Sequence, residues 1–153
     1  MSTAKHKEVV RRFFEELWND RNLAVADEIF SEDCVTHQLG PTADLSNERR
    51  DPDAVKKHVS EWLVGFPDLQ FFVEQTVAEN GHVATHCRME GTHTGRWLGI
   101  PPSKKHVIIR MITIHRIEDG KIIEDWVLVD ALGFFQQLGL VPPTEKVLSG
   151  RTT

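Results

Sequence analysis

The sequence predicts an α+β domain, with helices packed against an antiparallel sheet. Three observations carry this. The first 66 residues hold three stretches with apolar residues at helical spacing. From residue 69 the apolar period changes to two, the period of a strand. Asn80-Gly81 and Asp119-Gly120 fall between such stretches and are hairpin signals. Helices segregated against an antiparallel sheet define the class.

The elements follow in order. Residues 4–19 form an amphipathic helix, with Val9, Val10, Phe13, Phe14, Leu17 and Trp18 on one face and Thr3 as its cap. Asn19-Asp20-Arg21-Asn22 breaks it, and a short helix spans residues 23–30 with Asn22 as cap. Residues 34–37 read as a short strand. Residues 38–51 are polar and read as a loop or lid. Asp51 caps a third helix, with Pro52 at its first position, where a missing N–H costs nothing. Val55, Val59, Trp62 and Leu63 are its buried stripe, and Pro67-Asp68 ends it.

Four long strands come next, at residues 69–78, 82–92, 106–117 and 121–129. A Gly/Pro-rich connection at 93–105 separates the middle two. Asp130 precedes a short helix with Leu132 and Phe135, stopped at Gly139. One domain over residues 1–143 and a frayed tail over 144–153 account for the chain.

Composition narrows the function classes. A chain of 153 residues can bury a core without disulfides or metal. A net charge of -5 and basic clusters no longer than Lys104-Lys105-His106 argue against nucleic acid, whose affinity rests on neutralised phosphates. No apolar stretch is long enough to span a membrane. Cys34 and Cys87, isolated in apolar stretches, and the absence of a signal-peptide pattern fit a cytoplasmic protein. Eight histidines raise the question of metal, but no ligand spacing supports it. His82 and His86 on one strand would stand about 13 Å apart.

Four segments carry a resemblance. They are Phe13-Phe14-x-x-Leu17-Trp18 with Asp33-Cys34-Val35-Thr36-His37; Gly91-Thr92-His93-Thr94-Gly95 leading to Leu98-Gly99-Ile100-Pro101-Pro102; Arg116 to Trp126; and Asp130-Ala131-Leu132-Gly133 with Gln136-Gln137-Leu138-Gly139. In this order they resemble the SnoaL-like polyketide cyclase family of the nuclear-transport-factor-2-like superfamily. The resemblance implies a cone-shaped curved sheet wrapped around the N-terminal helices, a cystatin-like roll with a deep apolar pocket. It also implies a homodimer through the outer sheet face and chemistry without metal or organic cofactor. A carboxylate would serve as acid and base in an aldol ring closure on a small, mostly apolar molecule. Other relatives isomerise steroids, dehydrate aromatics, open epoxides or only bind ligands, so fold alone does not settle function.

Strand parity selects the candidates. Ile123, Asp125, Val127 and Val129 share one face of the last strand; Glu124, Trp126, Leu128 and Asp130 share the other. In similar cyclases the carboxylate follows the Trp. Here that position is Val127, so Asp125 on the same face is the candidate acid/base. His37, below the lid, is the candidate for orientation or proton relay. Their bland alternatives are a surface ion pair for Asp125 and a backbone-bonded histidine for His37. Trp18, Trp62, Phe66, Met89, Met111, Thr113 and Val127 would line the pocket; most read as plain core without the resemblance. His115 shares the parity of Met111 and Thr113 but lies near the strand end. Asp130 reads as a helix cap, His93 as a loop-ordering group, Cys87 as core, and Trp97 as a mouth cover or dimer contact. Three functions remain open: a cofactor-free acid/base enzyme, a ligand-binding module, and a structural dimer.

Overall fold

The computed structural model describes residues 2–38 and 48–150. The predicted lid therefore lies largely outside the described residues. The chain runs α1 (Thr3–Arg12), a π-helical turn (Phe13–Asn19), α2 (Val25–Ile29), β1 (Phe30–Gln38), β2 (Glu48–Arg49), α3 (Pro52–Gly65), β3 (Gln70–Glu79), β4 (His82–Thr92), β5 (His106–Glu118), β6 (Lys121–Val129), α4 (Ala131–Gln137) and α5 (Thr144–Ser149). The strands form one curved sheet in the order β2-β1-β6-β5-β4-β3, with the helices on its inner face. The α+β class and the roll hold.

β3 to β6 are joined as predicted. Asn80 and Gly81 both take positive φ (49° and 76°), as do Asp119 and Gly120 (50° and 77°). That is the backbone of a two-residue hairpin whose twist matches the flanking strands. β1 is longer than expected and runs parallel to β6, so the sheet is mixed. A parallel neighbour needs a long crossover, and everything between residues 38 and 121 supplies it.

The first helix is less regular than its apolar period. Ser2, not Thr3, caps it, its Oγ accepting from the Lys5 N–H at 3.3 Å. From Phe13 the hydrogen bonds lengthen to the π pattern, ending with the Asp20 N–H on the Glu15 carbonyl at 2.9 Å. Asn19 then grips the free edge of β3: its side chain donates to the Phe71 carbonyl (3.0 Å) and accepts from the Phe71 N–H (2.8 Å). This ties the turn to the sheet and turns Phe14, Leu17 and Trp18 inward, all at most 4% exposed. Asn22 does not cap α2 with its side chain; Ala24 stands at that position.

The tail also differs from expectation. Residues Thr144–Ser149 are helical, though none is buried. Among the described residues no helix is long and apolar enough to cross a membrane.

Candidate functional site

The register of three strands builds the site. β6 lies between β1 and β5, and Asp125 pairs with Thr36 on one side and His115 on the other. One step along the same face, Val127 pairs with Gln38 and Thr113. Alternation sends all six side chains to the inner face, where α1, the π-turn and α3 close over them. A narrow cavity of about 60 Å³ results, walled by Phe13, Phe14, Trp18, Phe71 and Val59.

Asp125 is 5% exposed and His115 fully buried. His115 Nε2 stands 3.7 Å from Asp125 Oδ2, just beyond a hydrogen bond. The imidazole lies against Phe13 and Phe14, ring centres 4.8 and 6.2 Å away. Burial holds its pKa below the ordinary histidine value, and Asp125 opposes the shift without reversing it. His58, on α3, also lines the cavity. Burial first, then the Arg50 charge, pushes its pKa down to about 3. Both rings are therefore neutral at pH 7.

The cavity wall is short of hydrogen-bond partners. Trp18 Nε1, Thr36 Oγ1, Thr113 Oγ1, both His115 nitrogens and Asp125 Oδ1 are buried, and none has a partner among the described residues. Orphaned buried polar atoms are costly and uncommon. Six around one small space give an occupant donors and acceptors to satisfy. A carboxylate in an apolar cavity beside a neutral imidazole is suited to moving a proton.

Asp125, Trp18, Met111, Thr113 and Val127 line this cavity. His37 does not, and this corrects the expected pair. Thr36 and Gln38 face inward, so His37 between them projects from the outer face. There its Nε2 meets Glu124 Oε2 at 2.7 Å and its ring stacks on Trp126. Ile123 is a second correction. A bulge lets Ile122 pair with Ile117 while Glu124 pairs with Arg116, so Ile122 is the buried residue at that end.

Trp62 and Phe66 belong to another cluster, with Trp97, Phe134 and His93, beneath α4. Met89 is buried in the core, opposite Phe71 on β3, and does not reach the cavity. Trp97 is 7% exposed, packs against Trp62, Phe66 and Phe134, and is not among the residues that line the cavity. His93 Nδ1 bonds the Ser103 hydroxyl at 3.0 Å inside the 93–105 connection. Burial raises the thiols of Cys34 and Cys87 to about 12, which disarms both as nucleophiles. Among the described residues no three His, Cys, Asp or Glu side chains are grouped to hold a metal.

Three titratable cavity residues escaped the sequence reading as site residues. His58 carried a signal, since it stands three residues after Val55 and four before Trp62 on the buried stripe of α3. His115 had the right parity and lost only on its place near the strand end. Arg50 had none, lying next to last in a polar stretch.

The model of the SnoaL-like polyketide cyclases matches residues 8–138. Two relatives are 32% identical over 141 residues, 90% of this chain: the aklanonic acid methyl ester cyclases DauD of Streptomyces sp. (strain C5) and DnrD of Streptomyces peucetius, covered over 83% and 92% of their lengths. Among solved structures, the proposed hydroxylase AclR from Streptomyces galilaeus superposes with a TM-score of 0.81 at 26% identity, covering 99% of this chain and 91% of its own. The proposed polyketide cyclase IdmH from Streptomyces antibioticus gives 0.74 at 27% identity, covering 88% and 98%. With the sequence match spanning nearly the whole chain and the same fold beneath it, the chain belongs to the SnoaL-like polyketide cyclase family.

Proposed function

We propose that this protein closes a ring in a polyketide-like substrate by acid/base catalysis that needs no cofactor, with Asp125 as the base and His115 beside it. The observation that carries the reading is Asp125 itself: a buried carboxylate between Thr36 and a neutral histidine, facing an apolar cavity. Asp125 takes the proton from a carbon flanked by two carbonyls. The resulting enolate attacks a further carbonyl of the same molecule, and the proton returns to the new alkoxide. No atom is gained or lost. Thr113, Thr36 and the Trp18 N–H can donate to the developing oxyanion, where fixed donors in a dry site act most strongly.

The relatives' ester makes a concrete test. Wild-type protein and Asp125→Asn are incubated with aklanonic acid methyl ester and products are followed by chromatography and mass. The expected product has the starting mass and a new retention time, and Asp125→Asn forms it at least about 100-fold more slowly. Asp125→Asn turning over like wild type would end the reading. A substrate with several rings must also displace side chains at the mouth, given a cavity of about 60 Å³.

Val127, where similar cyclases carry the carboxylate, favours a second reading, a binding module for small apolar molecules in the same cavity. Binding of the ester without product in either variant would select it. The outer face, with Ile112 and Leu128 half exposed and Ile114 beside them, supports a homodimer in both readings. Light scattering at twice the 17.5 kDa chain mass is the check.

A further inference from the structure

Among the described residues, the cavity is lined by one acidic and one basic side chain besides two histidines. Asp125 is the carboxylate and Arg50 the cation, since His58 and His115 are neutral at pH 7. Arg50 follows β2 and is held in place by its backbone, whose N–H donates to the Cys34 carbonyl at 2.8 Å. Its side chain is only 14% exposed. A guanidinium so far out of water normally meets a carboxylate in a close two-pronged pair. Arg50 instead has a single bond, from Nη2 to Glu48 Oε2 at 3.3 Å, and the Glu48 side chain is 64% exposed. Four of its five N–H groups meet no protein acceptor among the described residues.

Further in, the unpartnered atoms of Trp18, Thr36 and Thr113 stand on residues 4%, 1% and 2% exposed. The cavity is thus apolar in its walls with polar atoms among them, and its cation and its carboxylate form no ion pair with each other. From Arg50's burial, its spare donors and its place on the cavity wall, we infer that the site takes a ligand bearing a carboxylate, which Arg50 grips while the apolar body lies among Trp18, Phe71 and Val59. The inference rests on the cavity being the substrate site and goes further, because it names as the anchor an anionic group that is capped in the relatives' methyl ester. An anchored anion also orients the rest of the molecule towards Asp125, and positioning of this kind is a large part of catalysis.

Sodium benzoate and benzamide test it, since they share a ring and differ in charge. Calorimetric titration of wild type should give benzoate at least tenfold tighter binding than benzamide. Arg50→Gln should erase that preference and leave benzamide unchanged, while Arg50→Lys should keep part of it. Asp125→Asn should tighten benzoate by removing a like charge. The indole N–H resonance of Trp18, assigned with Trp18→Phe, should shift with benzoate and so place it in the cavity. Melting curves establish that each variant is folded.

Equal binding of the two probes, no benzoate binding at the solubility limit, or Arg50→Gln binding benzoate like wild type would each overturn the inference. None of these touches ring closure by Asp125, which the turnover experiment decides separately. Conversely, loss of the cyclase reading would leave an Arg50-dependent preference for benzoate standing.

Discussion

His115 and Asp125 face each other across adjacent strands, imidazole Nε2 to carboxylate Oδ2 at 3.7 Å, in the least exposed part of the molecule. His37 and Glu124 make a shorter contact, 2.7 Å, on the opposite face of the sheet, between β1 and β6. The pairs look alike and differ in surroundings. The first is sealed against Phe13 and Phe14, while the second is about a quarter exposed and shared with Arg116.

That contrast gives the first prediction. His115→Gln should lower the ring-closing rate tenfold or more, the lower range for a group that assists proton transfer. His37→Gln should leave it within about a factor of two, since a partly exposed ion pair contributes about 1 kcal/mol or less. Steady-state rates on the ester substrate decide. A larger loss in His37→Gln than in His115→Gln would contradict the assignment of inner and outer faces.

Buried neutral histidines make stability depend on pH. The unfolded chain takes up protons near the ordinary value of 6.5, whereas folded His58 resists until about pH 3 and folded His115 is also held below 6.5. Stability is therefore full above pH 6.5 and falls as the pH drops below it, by up to about 1.4 kcal/mol per pH unit for each histidine that stays neutral. Glu124, whose pKa is lowered first by the His37 hydrogen bond, adds a loss only below about 4.5. Urea midpoints at pH 7, 6 and 5 measure the slope. His58→Phe keeps a ring against Trp18 and should flatten it; an unchanged slope would remove His58 as a source.

How much of this was legible depends on what fixes each residue. Met111, Thr113, Asp125 and Val127 were placed by alternation, because a hairpin strand with a buried face has only one register that works. Ile123 failed at a bulge, which leaves no trace in apolar spacing. His37 failed because β1 pairs with a strand more than 80 residues away in sequence, so nothing local sets which face looks inward. The apolar stripe of α3 showed that Trp62 is sheltered but not which of two aromatic clusters it joins. The π-turn was hidden, since the apolar period of residues 9–18 fits an ordinary helix equally well. Arg50 becomes visible as a site residue only when the cavity exists.

Asp130 separates a structural carboxylate from a chemical one. Its Oδ1 accepts from the Gly133 N–H at 2.9 Å, closing the first turn of α4. Asp130→Ala should cost about 1 kcal/mol, the usual value of such a cap, and leave turnover unchanged at a temperature where the protein is folded. Asp130→Asn, which keeps the acceptor, should restore most of the stability. Thermal melts and rates together check this, and a rate loss in the Asn variant would argue for a chemical role.

The connection between β4 and β5 rests on a close backbone approach, which a pair of glycine variants can expose. The N–H groups of Thr94 and Gly95 both donate to the Gly65 carbonyl, at 3.1 and 3.0 Å, satisfying the end of α3. A Cβ on Gly95 would lie 1.8 Å from the Val64 carbonyl oxygen, so the helix end or the connection must move. Gly99, in the same connection, has nothing within 4 Å but a φ of +77°. Gly95→Ala should therefore cost about 3 kcal/mol, the upper part of the overpacking range, because backbone yields less readily than side chains. Gly99→Ala should cost about 1 kcal/mol, the strain of a left-handed alanine alone. The larger loss should also loosen Trp97 from Trp62, 4.8 Å apart, and so change near-ultraviolet circular dichroism. Equal losses in the two variants would mean that α3 and the connection can separate freely, and the buried position of Trp97 would then need another cause.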